Sequence, residues 1–112
     1  MKTSKPPPRA AGETGWNPDA VFALLGDPVR RRLLQSLAGG VPRRALDLSG
    51  GVARELSVSL KHLAIMRKAG WIVMSPDPVD SRRQLYRLAS EVVVTQTEKG
   101  REIDFGCCVL RL

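Results

Sequence analysis

The residues best equipped for chemistry in this chain are basic and hydroxylic, and they gather between positions 43 and 83. Arg82 and Arg83 follow Asp80 in Asp77-Pro78-Val79-Asp80-Ser81-Arg82-Arg83. Carboxylates so close, Asp77 and Asp80, can orient a guanidinium. A guanidinium also tolerates partial desolvation better than an ammonium, which suits it to a narrow, strongly negative groove. Arg43, Arg44 and Arg54 are further phosphate-seeking groups, and Ser57, Ser59, Lys61 and His62 set hydrogen-bonding side chains along one short stretch. The plainer reading of the same residues is a solvated charged face. Two thiols, Cys107 and Cys108, are adjacent. The chain has a single histidine, with no Gly-rich phosphate loop, no metal-spaced cluster and no nucleophile motif. The expectation is therefore no enzyme, no metal and no cofactor.

The charge distribution agrees with a polyanion partner. The net charge is +7. Residues 27–54 hold six arginines (30, 31, 32, 43, 44 and 54) against Asp27 and Asp47, a net +4, whereas residues 91–112 carry a net −1. A basic middle backed by a neutral or acidic end is the footprint of a nucleic-acid face. No segment reads as a basic amphipathic helix for a membrane surface.

The stretch that must position these groups is Leu56 to Trp71, LSVSLKHLAIMRKAGW. Apolar residues at Leu56, Leu60, Leu63 and Met66 predict one buried helical stripe. Ser57, Val58, Ser59, Lys61 and His62 would then face outward. Arg67 and Lys68 in the last turn oppose the helix dipole, and Gly70 can cap it. Upstream, Asn17-Pro18 and Asp27-Pro28 each pair a capping side chain with a proline at the first helical position, which predicts two helices. The second ends at Gly39-Gly40. A short helix over 43–49 is closed by Gly50-Gly51, so that Arg43 and Arg44 open the first helix of a helix-turn-helix. Downstream, a strand from Trp71 to Met74 is stopped by Pro76 and Pro78. A return strand ends at Leu88, with Gln84, Tyr86 and Leu88 alternating against Leu85 and Arg87.

Helices followed by a β-hairpin predict an α+β fold, a winged helix-turn-helix with a β-rich C-terminal extension. The expected organisation is a flexible arm over 1–15, a DNA-binding domain over 16–90, and a β-rich extension over 91–112 suited to dimerisation. In a strand, adjacent side chains point to opposite faces, so Cys107 and Cys108 would not share a metal within one chain. The 112 residues suffice for one domain with a modest core. The 43% hydrophobic content is ordinary, with no apolar run of membrane-spanning length and no secretory h-region, which makes the expected compartment cytoplasmic.

Two motifs carry a family resemblance. Leu24-Leu25-Gly26-Asp27-Pro28-Val29-Arg30-Arg31-Arg32-Leu33-Leu34 resembles the LxDPxRxxIL opening of the ArsR family of bacterial repressors. His62-Leu63-Ala64-Ile65-Met66-Arg67-Lys68-Ala69-Gly70-Trp71-Ile72 is similar to that family's HLxxLRxAGxV. The loop 77–83 resembles the DPxDxRR wing of the MarR family, in which an Asp holds an Arg that enters the minor groove. The chain departs from the ArsR pattern at two places. Ser59 stands where the family has a buried Val, and Leu60 where it has a polar contact. Many ArsR proteins also end in a dimerisation helix, where this chain predicts strands.

The resemblance implies a dimeric, sequence-specific DNA-binding regulator, most simply a repressor. Ser57, Ser59, Lys61 and His62 would approach bases or phosphates. Arg43, Arg44 and Arg54 would hold backbone, and Arg82 and Arg83 would anchor the wing. One alternative is a winged-helix protein-interaction module that does not bind DNA. Another is a thiol- or metal-responsive sensor using Cys107 and Cys108.

Overall fold

The computed structural model describes residues 16–50 and 55–112. Arg54 and the arm over 1–15 lie outside the described residues. Two short helices come first, α1 (Pro18–Leu25) and α2 (Pro28–Leu37). Each starts as its sequence predicts. Asn17 Oδ1 accepts from the Asp19 and Ala20 amides at 2.8 and 3.2 Å, and Asp27 Oδ1 accepts from the Val29 amide at 2.8 Å. These bonds satisfy N–H groups that the first helical turn would otherwise leave unpaired.

A two-residue strand, β1 (Arg43–Arg44), leads into a single turn of helix, α3 (Ala45–Leu48). The long helix α4 (Leu56–Lys68) follows. It stops in a Schellman motif at Gly70, whose φ is +85°. The Gly70 amide donates to Arg67 O and the Trp71 amide to Met66 O, each at 3.0 Å. Met66 and Trp71, the two residues this motif brings together, are both fully buried, so the turn also fixes the helix against the core.

The remainder is β-structure: β2 (Ile72–Pro76), β3 (Gln84–Leu88), β4 (Val94–Thr97), β5 (Gly100–Asp104) and β6 (Val109–Arg111). Two antiparallel three-stranded sheets result, in the orders β1-β3-β2 and β4-β5-β6. The fold is thus mixed α+β. No helix among the described residues is long and apolar enough to cross a membrane.

Several expectations need correction. Arg44 is the N-cap of α3, but Arg43 and Arg44 are themselves strand and not part of the helix. They pair with Tyr86 and Leu85 of β3, because a third strand there satisfies the backbone groups on β3's second edge. Pro76 ends β2 from inside, opposite Gln84. This is tolerated because β2 is an edge strand, where a missing N–H costs no ladder bond. The buried stripe of α4 is Ser59, Leu63 and Met66, whereas Leu60 is 41% exposed. The helix is rotated relative to the stripe predicted from Leu56 and Leu60. Leu63 and Met66 set the rotation, since both are fully enclosed and Leu60 lies well round the helix from them.

The two sheets share one core. Trp71, from the turn after α4, stacks on Phe105 at 4.7 Å between ring centroids and meets Trp16 edge-on at 6.0 Å. Val21, Leu33, Leu34 and Leu37 of the first two helices belong to the same buried cluster, as does Ile103 of β5. Residues 91–112 therefore pack onto the helical part through Ile103 and Phe105.

Candidate nucleic-acid interface

The outward row of α4 is Ser57, Lys61, Ala64 and Lys68, all exposed. These four share one side of the helix by their three-and-four spacing. Ser57 and Lys61 stand where the sequence placed them. Ala64 and Lys68 complete the row, and counting back from Leu63 and Met66 instead of forward from Leu56 would have found them.

Ser59 and His62 are corrections. Ser59 is 6% exposed and faces inward. The His62 side chain is 12% exposed and turned toward the start of α2. Its Nδ1 lies 3.1 Å from an Arg30 guanidinium nitrogen, and its Nε2 lies 3.9 Å from Asp27 Oδ2. A guanidinium can only donate, so Nδ1 accepts and the ring proton sits on Nε2, toward Asp27.

Arg30 is the hub of this corner. Its Nε donates to Leu24 O at 2.8 Å and a terminal nitrogen donates to Ala23 O at 3.1 Å. One planar fork thereby caps the last carbonyls of α1 and holds α4 through His62. Asp27 completes the set. Partial desolvation pushes its carboxyl up, but the Val29 amide, His62 and Arg30 together hold it below the ordinary carboxylate range. Arg30→Lys is expected to lower stability by about 1–3 kcal/mol, because a single ammonium cannot serve three acceptors in different directions. Thermal unfolding of the two proteins at matched pH measures this.

On the hairpin, the loop over 77–83 is closed by the Asp77 amide donating to Arg83 O and the Arg83 amide donating to Asp80 O, both at 2.9 Å. Asp80 receives Arg82 in a two-pronged contact, Nε at 3.0 Å and a terminal nitrogen at 3.1 Å. Arg83 Nε approaches the same carboxylate at 3.5 Å. The Arg82 bonds hold the Asp80 carboxyl below its usual range and raise the Arg82 guanidinium further. Asp77 does not orient the arginines. Its Oδ1 accepts from the Val79 amide at 2.8 Å and shapes the loop backbone instead. Both arginines project outward, with Arg82 88% and Arg83 55% exposed.

Arg44 and Arg83 meet across a cleft of about 420 Å³, whose described walls also include Leu46 of α3, Leu60 of α4 and Tyr86 of β3. The cleft joins the exposed flank of α4 to the arginine-bearing hairpin. Arg43 does not line it; its Nε donates to Ser36 O in the last turn of α2 at 3.3 Å. Arg44 Nε lies 3.5 Å from Asp47.

The cysteines do not lie in a strand. Cys107 and Cys108 form part of the tight turn between β5 and β6, where Phe105 N–H donates to Cys108 O at 2.9 Å. Gly106 takes φ +89°, and its amide donates to Asp104 Oδ1 at 2.7 Å. Both thiols are half-buried against the core, so the expected split of one inside and one outside does not occur. Burial raises the Cys108 thiol, and so do Cys107 and the nearby Asp104 charge. That is the opposite of the electropositive setting which activates a thiolate. Among the described residues, no group of three or more His, Cys, Asp or Glu side chains could hold a metal ion.

No protein-family model matches this chain, and no curated protein matches it in sequence.

Proposed function

We propose that this protein is a winged-helix, sequence-specific DNA-binding regulator of the ArsR-like kind, acting as a homodimeric repressor. The single observation that carries the reading is that one cleft is walled both by α4, through Leu56 and Leu60, and by Arg83 of the basic hairpin. The Ser57–Lys61–Lys68 row lies on α4, and Arg82 and Arg83 are braced by Asp80 on the hairpin. A helix of this kind reads the major groove, where all four base pairs differ, and a hairpin arginine suits the adjacent minor groove. Exposed apolar side chains on α1 (Phe22) and at the second sheet (Val93 and Val109) supply surface for a second copy. Two copies would present two α4 helices to half-sites about one helical turn apart.

The test is fluorescence anisotropy with duplex DNA at several salt concentrations, alongside light scattering of the free protein. Roughly 6–10 phosphate contacts per dimer predict a log–log salt slope of about −5 to −9. Light scattering should return the mass of two chains. Absence of binding to genomic fragments at low salt would replace this reading with a protein-interaction module.

The thiols are not the regulatory switch in this proposal. Changing Cys107 and Cys108 together to Ser should loosen the β5–β6 turn slightly, since a half-buried thiol acts as a small hydrophobe. DNA affinity should stay within about twofold, an allowance of less than 0.5 kcal/mol. If As(III), Zn(II) or an oxidant releases DNA from the parent protein but not from a folded double variant, the sensor reading takes its place.

A further inference from the structure

We infer that the cleft between α3, α4 and β3 receives the methyl group of thymine, so that Leu60 selects a T·A pair within each half-site. This rests on the DNA-binding reading above and names one of its specificity determinants. Leu46 and Leu60 are 42% and 41% exposed, an unusual state for two leucines that share a cleft with Leu56 and Tyr86. Leu60 sits about 70° round the helix from the centre of the outward row, on the flank that lines the cleft with the hairpin's Arg83. The cleft's guanidiniums each have a carboxylate nearby, Asp47 for Arg44 and Asp80 for Arg83. Asp80 is shared with Arg82, so three arginines face two carboxylates and the rim keeps a net positive charge. Charge complementarity therefore favours an anionic occupant over an apolar peptide, to which two guanidiniums add nothing. In the major groove of a duplex, the compact apolar group on a base edge is the C5-methyl of thymine. Phosphates flanking that base would meet the arginines while the methyl meets Leu60.

The experiment first selects a preferred duplex from a random-sequence pool. It then compares that duplex, by anisotropy, with the same sequence carrying uracil for thymine. Uracil keeps every hydrogen-bonding group and removes only the methyl. The unmodified protein should lose about fourfold in affinity for each contacted methyl, the equivalent of roughly one buried carbon. Single uracils placed along the site should concentrate the loss at one position per half-site. Leu60→Ala should bring the thymine-to-uracil affinity ratio close to one, whereas Lys61→Ala should weaken binding but keep the ratio. A ratio near one for the unmodified protein, or an unchanged ratio in Leu60→Ala, overturns this inference while DNA binding stands. Failure of the protein to enrich any duplex overturns both this inference and the reading beneath it. The uracil scan uses the unmodified protein, so its outcome does not depend on any variant folding.

Discussion

Replacing both Arg82 and Arg83 with Ala is expected to weaken binding to duplex DNA by roughly tenfold to a hundredfold, the loss typical of one or two charge-assisted hydrogen bonds. The loss should be similar on preferred and on random sequence. Both side chains project from a closed loop, and Asp80 fixes the Arg82 fork through two bonds before any partner arrives. That bracing lowers the conformational entropy lost on binding, which is otherwise large for an arginine. A guanidinium in the minor groove reads groove width and A·T against G·C content but little else, so its removal costs grip more than choice. The log–log salt slope should flatten by about one to two units. Lys61→Ala, or Ser57→Ala, should behave differently. On the proposed DNA-binding reading, either change removes a base-edge hydrogen bond and should shrink the ratio of specific to non-specific affinity by about 1–3 kcal/mol. Anisotropy titrations of each variant on both DNAs at two salt concentrations separate these outcomes. The roles are reversed if the hairpin variant loses only specific binding and the helix variants lose both equally.

Phe105→Ala, one residue past the end of β5, should be the most destabilising simple truncation in residues 91–112, at about 3–5 kcal/mol. The ring is fully buried and stacks on Trp71, which in turn meets Trp16. Its loss would leave a cavity where the sheet β4-β5-β6 meets the end of α4, and the neighbouring strands cannot close it without breaking their ladder. For a domain of this size the melting temperature should fall by about 10–20 °C. The transition should remain single by both far-ultraviolet circular dichroism and tryptophan fluorescence. Trp16 and Trp71 report on the shared core, and the helices dominate the dichroism. If the fluorescence transition moved down alone while the helical signal kept its temperature, the second sheet would be an independent unit and the shared core would not govern stability.

Local chemistry was enough to place most elements. Asn17-Pro18 and Asp27-Pro28 start their helices by bonds made within three residues, and Gly70 ends α4 by a backbone conformation that its own lack of a Cβ permits. The Asp80 bracing of Arg82 was legible for the same reason, because a carboxylate two residues away needs no distant partner to find its guanidinium. The alternation along β3 named no buried face: Tyr86 is the one buried residue of the strand, while Gln84 on the same side is exposed.

Only tertiary structure decided the rotation of α4, and with it the composition of the candidate site. Leu56, Leu60, Leu63 and Met66 form an acceptable stripe on an isolated helix, and nothing local favours it over one centred on Ser59, Leu63 and Met66. The arbiter is long-range. Met66 is tied to Trp71 by the Schellman turn, and His62 is drawn inward by Arg30, thirty-two residues earlier in the chain. Those contacts turn Ser59 and His62 away from solvent and Leu60 toward it. The position of Cys107 and Cys108 was decided in the same way. Their residue types suit a strand, but the β5–β6 register and the positive φ of Gly106 put them in a turn. Side-chain spacing therefore determined which residues could share a helix or a loop. Packing between segments far apart in the chain determined which of them face outward, because burial is a property of what lies opposite and the sequence does not carry that information locally.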